Sequence, residues 1–385
     1  MKLCIFTNHP IQYQVPWFQA LADRPEIQLK VYFGMIPDKE QQGKGFGIPF
    51  EWDIPLLDGY QWEVLSEKGN RKNKAISVKR IVVALKESNP DAALLAGWNS
   101  PFLIKSLLVC RTLKIPLIVR GESNAMKPRP WWVRLIHRAI MAQFNAFLAI
   151  GKGNEEFYNQ YVKDAGKLFH APYCVDNNRF SKQASAMVVK KSILRRKWGI
   201  PDDKICFLFA GKLIQKKRPL DLLEALKTIV QKEPKIHLLV VGTGELMEQA
   251  QYSVRKYSLP VTFTGFLNQM EMAQAYVAAD CLVLPSDYDE TWGLVVNEAM
   301  ACGIPAIVSD RVGCGPDLVD DGFTGYVFPF GDILKLAEVI MSVALDQTKL
   351  EELALNALDR VQEYTIEETV KGTVAAVQYV TIGQW

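Results

Sequence analysis

The regular alternation of short apolar runs with helical patterns constrains this sequence more than any other feature. In the first half the predicted strands are Lys2–Thr7, Gln28–Gly34, Ala92–Ala96, Leu117–Arg120 and Ala146–Ile150. In the second half they are Ile205–Ala210, His237–Val241, Val261–Thr264, Cys281–Pro285 and Ala306–Ser309. Because strand–helix alternation gives parallel sheets with crossover helices, we predict an α/β protein with doubly wound sheets.

The length of 385 residues favours two domains over one. The two strand–helix runs are separated by residues 181–197, which hold six Lys and Arg residues and no acid. We therefore predict an N-terminal domain over 1–180, a linker over 181–197 and a C-terminal domain over 198–365. Ligands of such sheets bind at the carboxyl ends of the strands.

The net charge of +3 conceals a division between the two halves. Residues 1–200 hold 30 Lys and Arg against 16 Asp and Glu, whereas residues 201–385 hold 15 against 26. The acidic half would repel nucleic acid, and the sequence contains no recognised nucleic-acid module, so we expect no nucleic-acid partner. The start of the sequence lacks the pattern of a secretory signal, and no apolar run is long enough to span a bilayer.

Seven cysteines occur without a C-x-x-C pair, and the four histidines are scattered. This pattern predicts buried reduced thiols in a cytoplasmic protein and no zinc site.

The most specific stretch lies between the strand at Cys281–Pro285 and a helix that opens near Gly293. The first N–H groups of that helix, at Gly293 and Leu294, have no intrahelical partner and suit a phosphate. Glu290 precedes the helix and Glu298 lies in its second turn, where carboxylates could bind sugar hydroxyls. The alternative is that both glutamates are ordinary solvated charges.

A second stretch, Gly211–Arg218, follows the first strand of the second domain and holds four cations, including Lys212 and Lys217. Cations at the carboxyl end of a strand suit a diphosphate. The alternative is a solvated basic loop.

Glu290 and Glu298 have the E-x7-E spacing of the family-4 retaining glycosyltransferases, and the residues around them resemble the signature of that family. Gly211-Lys212-Leu213 followed by Lys217 resembles its G-R-L-x-x-x-K motif. Several further motifs in the same order extend the resemblance over most of residues 140–365.

This resemblance implies the GT-B fold, in which two Rossmann-like domains face each other across a cleft, and a metal-independent transfer from a nucleotide-sugar without a cofactor. It implies that Lys212 and Lys217 neutralise the leaving diphosphate, Glu290 binds the donor sugar and Glu298 binds the ribose. It also implies a C-terminal helix, within 366–385, that returns to the first domain. The remaining residues implied to bind the donor are Gly211, Gly265, Phe266, Leu267, Thr291, Trp292, Gly293 and Leu294.

The sequence departs from the family pattern at three places. Lys212 stands where an Arg is usual, and Lys offers a point charge rather than a planar fork. The loop after the first strand has His9 and Gln12 instead of a glycine pair, and we consider both as acceptor or cleft residues. Glu122 stands where a histidine is usual; this carboxylate would contact the reacting sugar or acceptor, or pair with Arg120 in the cleft.

Two further patterns have competing interpretations. Asp287 and Asp289 imitate a D-x-D metal motif, but they lie inside the family signature, and we expect no metal. The basic, aromatic stretch Lys127–Ile140 suits an anionic membrane surface, or it is an ordinary helix beside the acceptor cleft. Lys68, Arg71, Lys72 and Lys74 could extend the same basic surface.

We therefore expect a cytoplasmic retaining glycosyltransferase, peripheral to the membrane if the basic stretch contacts lipid, with a UDP-sugar as the preferred donor. Its acceptor would be a saccharide, a lipid-linked molecule or an acidic small molecule, as in bacterial glycan or glycolipid assembly. The alternatives are a nucleotide-sugar epimerase of the same fold and a non-catalytic module that binds nucleotide-sugars or a protein partner.

Overall fold

The computed structural model describes residues 1–66, 76–232 and 235–382 of the chain. The chain divides into two compact units, each with its own parallel sheet. The first unit comprises Met1–Asp38, Pro55–Cys174 and Thr365–Trp385, and the second comprises Lys39–Ile54 and Val175–Tyr364. The predicted α/β class with two doubly wound, Rossmann-like sheets is confirmed.

The first unit contains a seven-stranded sheet in the order β3-β2-β1-β4-β5-β6-β7, with every strand parallel to its neighbours. Its central strands are apolar and buried, as expected when helices cover both faces. The strands are β1 (Lys2–Thr7), β2 (Gln28–Phe33), β3 (Gln61–Val64), β4 (Ala92–Leu95), β5 (Leu117–Val119), β6 (Ala146–Ala149) and β7 (Leu168–His170).

The helices that cover this sheet begin and end at recognisable signals. Helix α3 begins after Ser77, whose side chain accepts a hydrogen bond from the Arg80 N–H, and it ends at Asn89 in the left-handed conformation. The helices are α1 (Val15–Ala22), α3 (Val78–Ser88), α4 (Pro101–Thr112), α5 (Trp131–Met141), α6 (Lys152–Asn159) and α16 (Ile366–Ile382), whereas α2 (Lys39–Gln42) belongs to the second unit.

Helix α16 belongs to the first unit although it lies at the far end of the sequence. The Trp17 indole N–H of α1 donates to the Thr373 hydroxyl at 3.2 Å, and Val370, Val377 and other apolar residues of α16 are buried. A Cβ at Gly372 would lie 1.8 Å from the His170 carbonyl oxygen, so only glycine permits this close approach of helix and strand.

The second unit contains a six-stranded parallel sheet in the order β10-β9-β8-β11-β12-β13. Its strands are β8 (Ile205–Ala210), β9 (Ile236–Val241), β10 (Val261–Gly265), β11 (Cys281–Leu284), β12 (Ala306–Ser309) and β13 (Gly325–Phe328). Its remaining helices are α7 (Asn177–Met187), α8 (Lys191–Lys197), α9 (Pro219–Ile229), α10 (Met247–Tyr257), α11 (Gln269–Ala278), α12 (Leu294–Ala301), α13 (Gly315–Leu318), α14 (Ile333–Leu345) and α15 (Gln347–Arg360).

In both sheets the direction of strand order reverses once, between β1 and β4 in the first and between β8 and β11 in the second. A crevice opens at the carboxyl ends of the strands where the order reverses, and ligands of doubly wound sheets bind there.

The structure divides the chain differently from the predicted boundaries at residues 180 and 198. Residues 181–197 form most of α7 and α8 within the second unit rather than a linker. Lys191 and Arg195, one helical turn apart, form ion pairs with Asp280 at 2.7 and 2.5 Å, and Arg195 is buried. The acid that pairs with two of these six cations is remote in sequence, so the local composition resembled a solvated linker.

This reassignment reduces the charge difference between the halves. The first unit contains 22 Lys and Arg against 14 Asp and Glu, a net charge of +8, and the second contains 23 against 28, a net charge of −5. The sign of the asymmetry is unchanged, and the net positive charge belongs to the first unit.

All seven cysteines carry free thiols, and all but Cys302 are fully buried. Burial raises the pKa of Cys110 to about 12, which keeps that thiol protonated. Among the helices that the structure describes, none is both long and apolar enough to cross a membrane.

Candidate functional site

The loops that follow β8 and β11 meet at the point where the strand order of the second sheet reverses. Lys217, at the end of the first loop, forms an ion pair with the carboxylate of Glu290, in the second. The side chains of Lys217 and Glu290 are only 13% and 12% exposed. The structure therefore brings together two of the predicted catalytic side chains, and both are largely shielded from solvent.

The local fold of the first loop positions Lys217. A short 3-10 turn, Gln215–Lys217, ends at Arg218 in the left-handed conformation, and Pro219 then begins α9. The Lys216 carbonyl accepts from the Asp287 N–H at 2.9 Å, and the Lys216 ammonium donates to the Asp289 carbonyl at 3.0 Å. These two bonds fix the first loop to the second.

The second loop is held by backbone contacts around Glu290. The Glu290 N–H donates to the Asp287 carbonyl at 2.8 Å, and the Glu290 carbonyl accepts from the Gly313 N–H at 3.0 Å. A Cβ at Gly313 would lie 1.9 Å from the Thr291 carbonyl oxygen, so the loop after β12 can approach only because that residue is glycine. The position of Glu290 thus depends on a second glycine-rich loop.

Helix α12 begins at this site, one residue after Gly293, whose φ is +107°. Trp292, just before it, is buried and donates its indole N–H to the Asn297 side chain at 2.8 Å. The N–H groups of the first helical turn, including Leu294, point out of the helix start by geometry and form an environment suited to an anion. Thr291 is half-buried on the same loop.

Glu298, in the second turn of α12, is 1% exposed. Its Oε2 accepts a hydrogen bond from the hydroxyl of Tyr276 in α11 at 2.6 Å. Tyr276 was not predicted as a site residue because it lies 22 residues earlier in the chain and reads as an ordinary core aromatic. The solvated-face alternative for Glu298 is wrong, since the carboxylate is buried and hydrogen-bonded.

Lys212 lies on the same loop as Lys217 but has different partners. Its ammonium donates to the Lys44 carbonyl at 2.9 Å and lies 4.7 Å from the centroid of the Phe46 ring. Burial, together with the charges of Lys216 and Lys217, lowers the pKa of Lys212. Gly211, which precedes it, has a φ of +151°.

The loop after β10 contains Gly265, Phe266 and Leu267, all half-buried. The Gly265 carbonyl accepts from the Gly242 N–H at 2.8 Å, which connects this loop to the end of β9. Among the described residues, a Cβ at Gly265 would meet nothing within 4 Å, so space is open beside it. The Phe266 ring packs against Phe46 and Phe50.

The predicted residues of the first unit form a separate group. The Arg120 guanidinium is buried between the rings of Trp17 and Tyr173, 4.7 and 4.8 Å from their centroids, and donates to the Pro172 carbonyl at 3.2 Å. Glu122 is exposed and its Oε1 accepts from the Tyr173 hydroxyl at 2.6 Å. Tyr173 therefore connects the two predicted residues.

His9 and Gln12 are half-buried in the loop after β1. The neighbouring Asn8 side chain accepts from the Ser100 hydroxyl at 2.6 Å, so this loop meets the start of α4 where the first sheet reverses its strand order. Burial lowers the pKa of His9, which favours the neutral imidazole at pH 7.

Asp287 of the D-x-D sequence forms an ion pair with Arg311 at 3.0 Å, and its carboxylate also accepts from the Tyr288 N–H at 2.7 Å. Both carboxylates of the motif lie in the loop that positions Glu290. The predicted basic residues Lys68, Arg71, Lys72 and Lys74 lie outside the described residues.

Helix α5 exposes most of its side chains. Trp131 is 73% exposed, and Trp132, Leu135 and Ile136 are each at least half exposed. Arg134 and Arg138 are exposed on the same helix, and the sequence contains no acid between Glu122 and Glu155. The helix therefore presents an apolar and cationic surface to its surroundings.

Part of the second unit matches the model of a known protein family. Residues 190–360 match the family model of the glycosyl transferases group 1, a stretch that contains every predicted donor-site residue. This match supports the resemblance seen in the sequence at the level of that broad family.

Two relatives align with much of the chain. The sulfoquinovosyl transferase SQD2 of Arabidopsis thaliana is 26% identical over 300 residues, which cover 74% of this chain and 56% of the plant protein. A D-inositol 3-phosphate glycosyltransferase of Actinosynnema mirum is 28% identical over 292 residues, which cover 72% of this chain and 67% of the relative. The chain thus spans just over half of the plant protein.

The fold is similar to solved glycosyltransferase structures. The crystal structure of Anabaena HepE in complex with UDP-glucose superposes with a TM-score of 0.70 at 18% sequence identity, covering 98% of this chain and 100% of HepE. The two Rossmann-like units of this chain have the GT-B fold.

Proposed function

We propose that this protein is a retaining, metal-independent glycosyltransferase that moves a sugar from a nucleotide-diphosphate-sugar to an acceptor hydroxyl. The observation that carries the proposal is the Lys217–Glu290 ion pair at the strand-order reversal of the second sheet. A lysine, a carboxylate and a helix N-terminus at one end of a Rossmann-like sheet supply the groups that a sugar diphosphate requires.

Each group has a defined task in this proposal. The bond between the anomeric carbon and the diphosphate oxygen breaks, and the new bond forms to the acceptor oxygen, whose proton leaves with the departing phosphate. Lys217 and Lys212 stabilise the negative charge that develops on the diphosphate, which is where most of the stabilisation is needed. Glu290 binds hydroxyls of the donor sugar and Glu298 binds the ribose.

The ion pair also explains how a carboxylate can lie beside a diphosphate. Glu290 alone would repel the anion, but Lys217 neutralises it in the unliganded protein. When the diphosphate binds, Lys217 faces both anions, and Glu290 is left to accept hydrogen bonds from neutral sugar hydroxyls. The same positive charge therefore serves the diphosphate and the carboxylate.

A UDP-sugar is the proposed donor. The similar HepE structure contains UDP-glucose, which supports uridine as the base. The loop of Gly265, Phe266 and Leu267 would bind the base. It follows β10 and therefore lies at the same carboxyl-terminal edge of the parallel sheet as the lysine loop after β8.

The acceptor is proposed to be an anionic or lipid-linked hydroxyl compound bound by the first unit. That unit has a net charge of +8. The name of the Actinosynnema mirum relative includes a phosphorylated compound, D-inositol 3-phosphate. Arg120, Glu122, His9 and Gln12 are the proposed acceptor-side residues. The rings of Trp17 and Tyr173 hold the Arg120 guanidinium in a fixed position.

Helix α5 is proposed to rest on an anionic membrane surface. Exposed Trp and Leu side chains insert at the level of the lipid headgroups, while Arg134 and Arg138 meet their phosphates. This arrangement would give the first unit access to a lipid-linked acceptor.

A two-step experiment tests the proposal. First, the melting temperature of the purified protein is measured with UDP, GDP and ADP in the presence of chelator. Second, each matching nucleotide-sugar is supplied with a panel of acceptors, and released nucleotide and product are detected by mass spectrometry. Stabilisation without any turnover would favour the non-catalytic module, and interconversion of the donor sugar would favour the epimerase. The named relatives are transferases, which favours transfer.

A further inference from the structure

Residues Lys39–Ile54, which we call the strap, come from the first half of the sequence but belong to the second unit. They include the short helix α2 and a turn with glycines at positions 43, 45 and 47. The strap contacts two places that the proposed function assigns to the donor: the Lys212 side chain and the loop of Gly265, Phe266 and Leu267.

The end of the strap is fixed next to the proposed base loop. The Asp53 carboxylate accepts from the Met270 N–H at 3.1 Å, at the N-terminus of α11, where a negative charge is favourable. The Asn268 side chain donates to the Glu51 carbonyl at 2.7 Å. Residues 51–53 therefore attach the end of the strap to Asn268 and Met270, which directly follow the Gly265–Leu267 loop.

The middle of the strap packs its aromatic rings on the same loop. Phe50 is buried and lies 4.3 Å from Phe266 between ring centroids, and Phe46 lies 5.0 Å from Phe266 in an edge-to-face contact. These three rings form an apolar cluster at the residue that follows Gly265, and a Cβ at Gly265 would meet no described atom within 4 Å.

Phe46 also touches the cation of the neighbouring loop. The Lys212 ammonium lies 4.7 Å from the Phe46 centroid and donates to the Lys44 carbonyl at 2.9 Å. One ring thus connects the proposed diphosphate end of the site, at Lys212, with the proposed base end, at Phe266. In a nucleoside diphosphate the ribose joins the diphosphate to the base, so the nucleoside would extend from the Lys212 end to the Phe266 end.

We propose that Phe46 is a nucleotide-binding residue, whose ring packs against the nucleoside of a nucleoside diphosphate held between Lys212 and the Gly265–Leu267 loop. The inference rests on the proposed function, because it requires the second unit to bind a nucleotide. A ring that contacts the nucleoside adds affinity for that part of the ligand alone, whereas a ring that only orients Lys212 affects the phosphates.

The test compares ligands that contain different parts of the nucleotide. Dissociation constants for UDP, UMP and inorganic pyrophosphate are measured by calorimetry on the full chain, with GDP or ADP and its monophosphate replacing the uridine pair if the wild type prefers them. The variants are Phe46→Ala, Phe46→Tyr, which keeps a ring, and Ile48→Ala, a control at an exposed apolar residue two positions along the strap.

We expect Phe46→Ala to weaken UDP and UMP about tenfold and to leave pyrophosphate unchanged, with Phe46→Tyr and Ile48→Ala close to the wild type. Equal weakening of all three ligands, or no weakening of any, would overturn the inference while leaving nucleotide binding intact. A wild type that binds none of the three nucleotides would instead overturn the proposed function and this inference with it. If Phe46→Ala does not fold, Phe46→Leu provides the same comparison, because it removes the ring but keeps an apolar side chain.

Discussion

The ammonium of Lys217 pairs with the carboxylate of Glu290, so that one contact joins the loops that follow two adjacent strands of the second sheet. The two residues should respond to substitution differently, because one attracts a diphosphate and the other repels it.

For Lys217→Ala we expect weaker UDP binding and a loss of at least about 100-fold in turnover, because the carboxylate is left unpaired beside the diphosphate. For Glu290→Ala we expect a similar loss of turnover but unchanged or tighter UDP binding, since Lys217 is released for the phosphate. Nucleotide release and calorimetry measure the two quantities, with Lys335→Ala, at an exposed lysine of α14, as the control. Turnover at the wild-type level in either variant would refute the assignment.

The buried pair of Tyr276 and Glu298 predicts a graded loss of nucleotide affinity. Glu298→Ala should raise the dissociation constant of UDP by roughly 10- to 100-fold, as expected for a lost hydrogen bond to a charged group. Tyr276→Phe should raise it only a few-fold without changing kcat, because the hydroxyl only positions the carboxylate. An unchanged dissociation constant for Glu298→Ala would contradict the ribose role.

The close contact of Gly313 with Thr291 predicts a large effect of one methyl group. Gly313→Ala should lower the free energy of unfolding by about 2–4 kcal/mol and reduce turnover, because the loop that positions Glu290 must move. Gly315→Ala is a matched control two residues away, where a Cβ would make only an ordinary contact with Val308 at 3.8 Å. Urea unfolding of both variants would show the difference, and equal stabilities would contradict the prediction.

His237 predicts a loss of stability in mild acid. Burial, together with the charges of Lys204 and Arg195, lowers its pKa to about 4 from an ordinary value of 6.5. Between those values the unfolded chain binds the proton more strongly, so this stability is complete above pH 6.5 and falls as the pH decreases towards 4. The decrease should be on the order of 2–3 kcal/mol.

The matched variant for this effect is His237→Gln, which can keep a hydrogen bond to Thr262 but cannot take up the proton. Urea midpoints of the two proteins at pH 7 and pH 5 measure the effect. The urea midpoint of the wild type should fall more between pH 7 and pH 5 than that of the variant. Parallel pH profiles of the two midpoints would show that His237 does not titrate in this range.

The exposed side chains of α5 predict binding to anionic vesicles. Wild-type protein should sediment with vesicles that contain phosphatidylglycerol and much less with phosphatidylcholine alone, because Arg134 and Arg138 need anionic headgroups. A double variant, Trp131→Ala with Trp132→Ala, should sediment weakly, whereas Leu355→Ala, an equally exposed apolar residue on α15, should behave like the wild type. If the double variant sediments with anionic vesicles as much as the wild type does, the membrane proposal is wrong.

The sequence predicted the central strands well and the sheet edges poorly. Three of the four edge strands, β3, β7 and β13, were not predicted, because they are only three or four residues long and their apolar signal is weak. The fourth edge strand, β10, has five residues and was predicted. Residues 281–301 could be predicted in detail, since the strand, the glutamates and the helix start are close together in the chain.

Other parts of the site depend on contacts between residues far apart in the sequence. Tyr276 reads as a core aromatic until its hydroxyl is seen next to Glu298, and the Arg195–Asp280 pair joins residues 85 positions apart. The strap was predicted to belong to the N-terminal domain over 1–180, because nothing in its local sequence shows that Phe46 lies against Lys212. Pairings of this kind are set by the three-dimensional fold.

Helix α16 covers one side of β4, β5, β6 and β7 in the first sheet. A chain synthesised from its N-terminus completes all seven strands of that sheet by residue 170, but the covering helix begins only at residue 366. The apolar surface that packs against Val370, Ala376, Val377 and Val380 therefore stays uncovered until the rest of the second unit has been synthesised. The order of assembly is thus reversed relative to the order of the sequence: the unit that starts first is finished last.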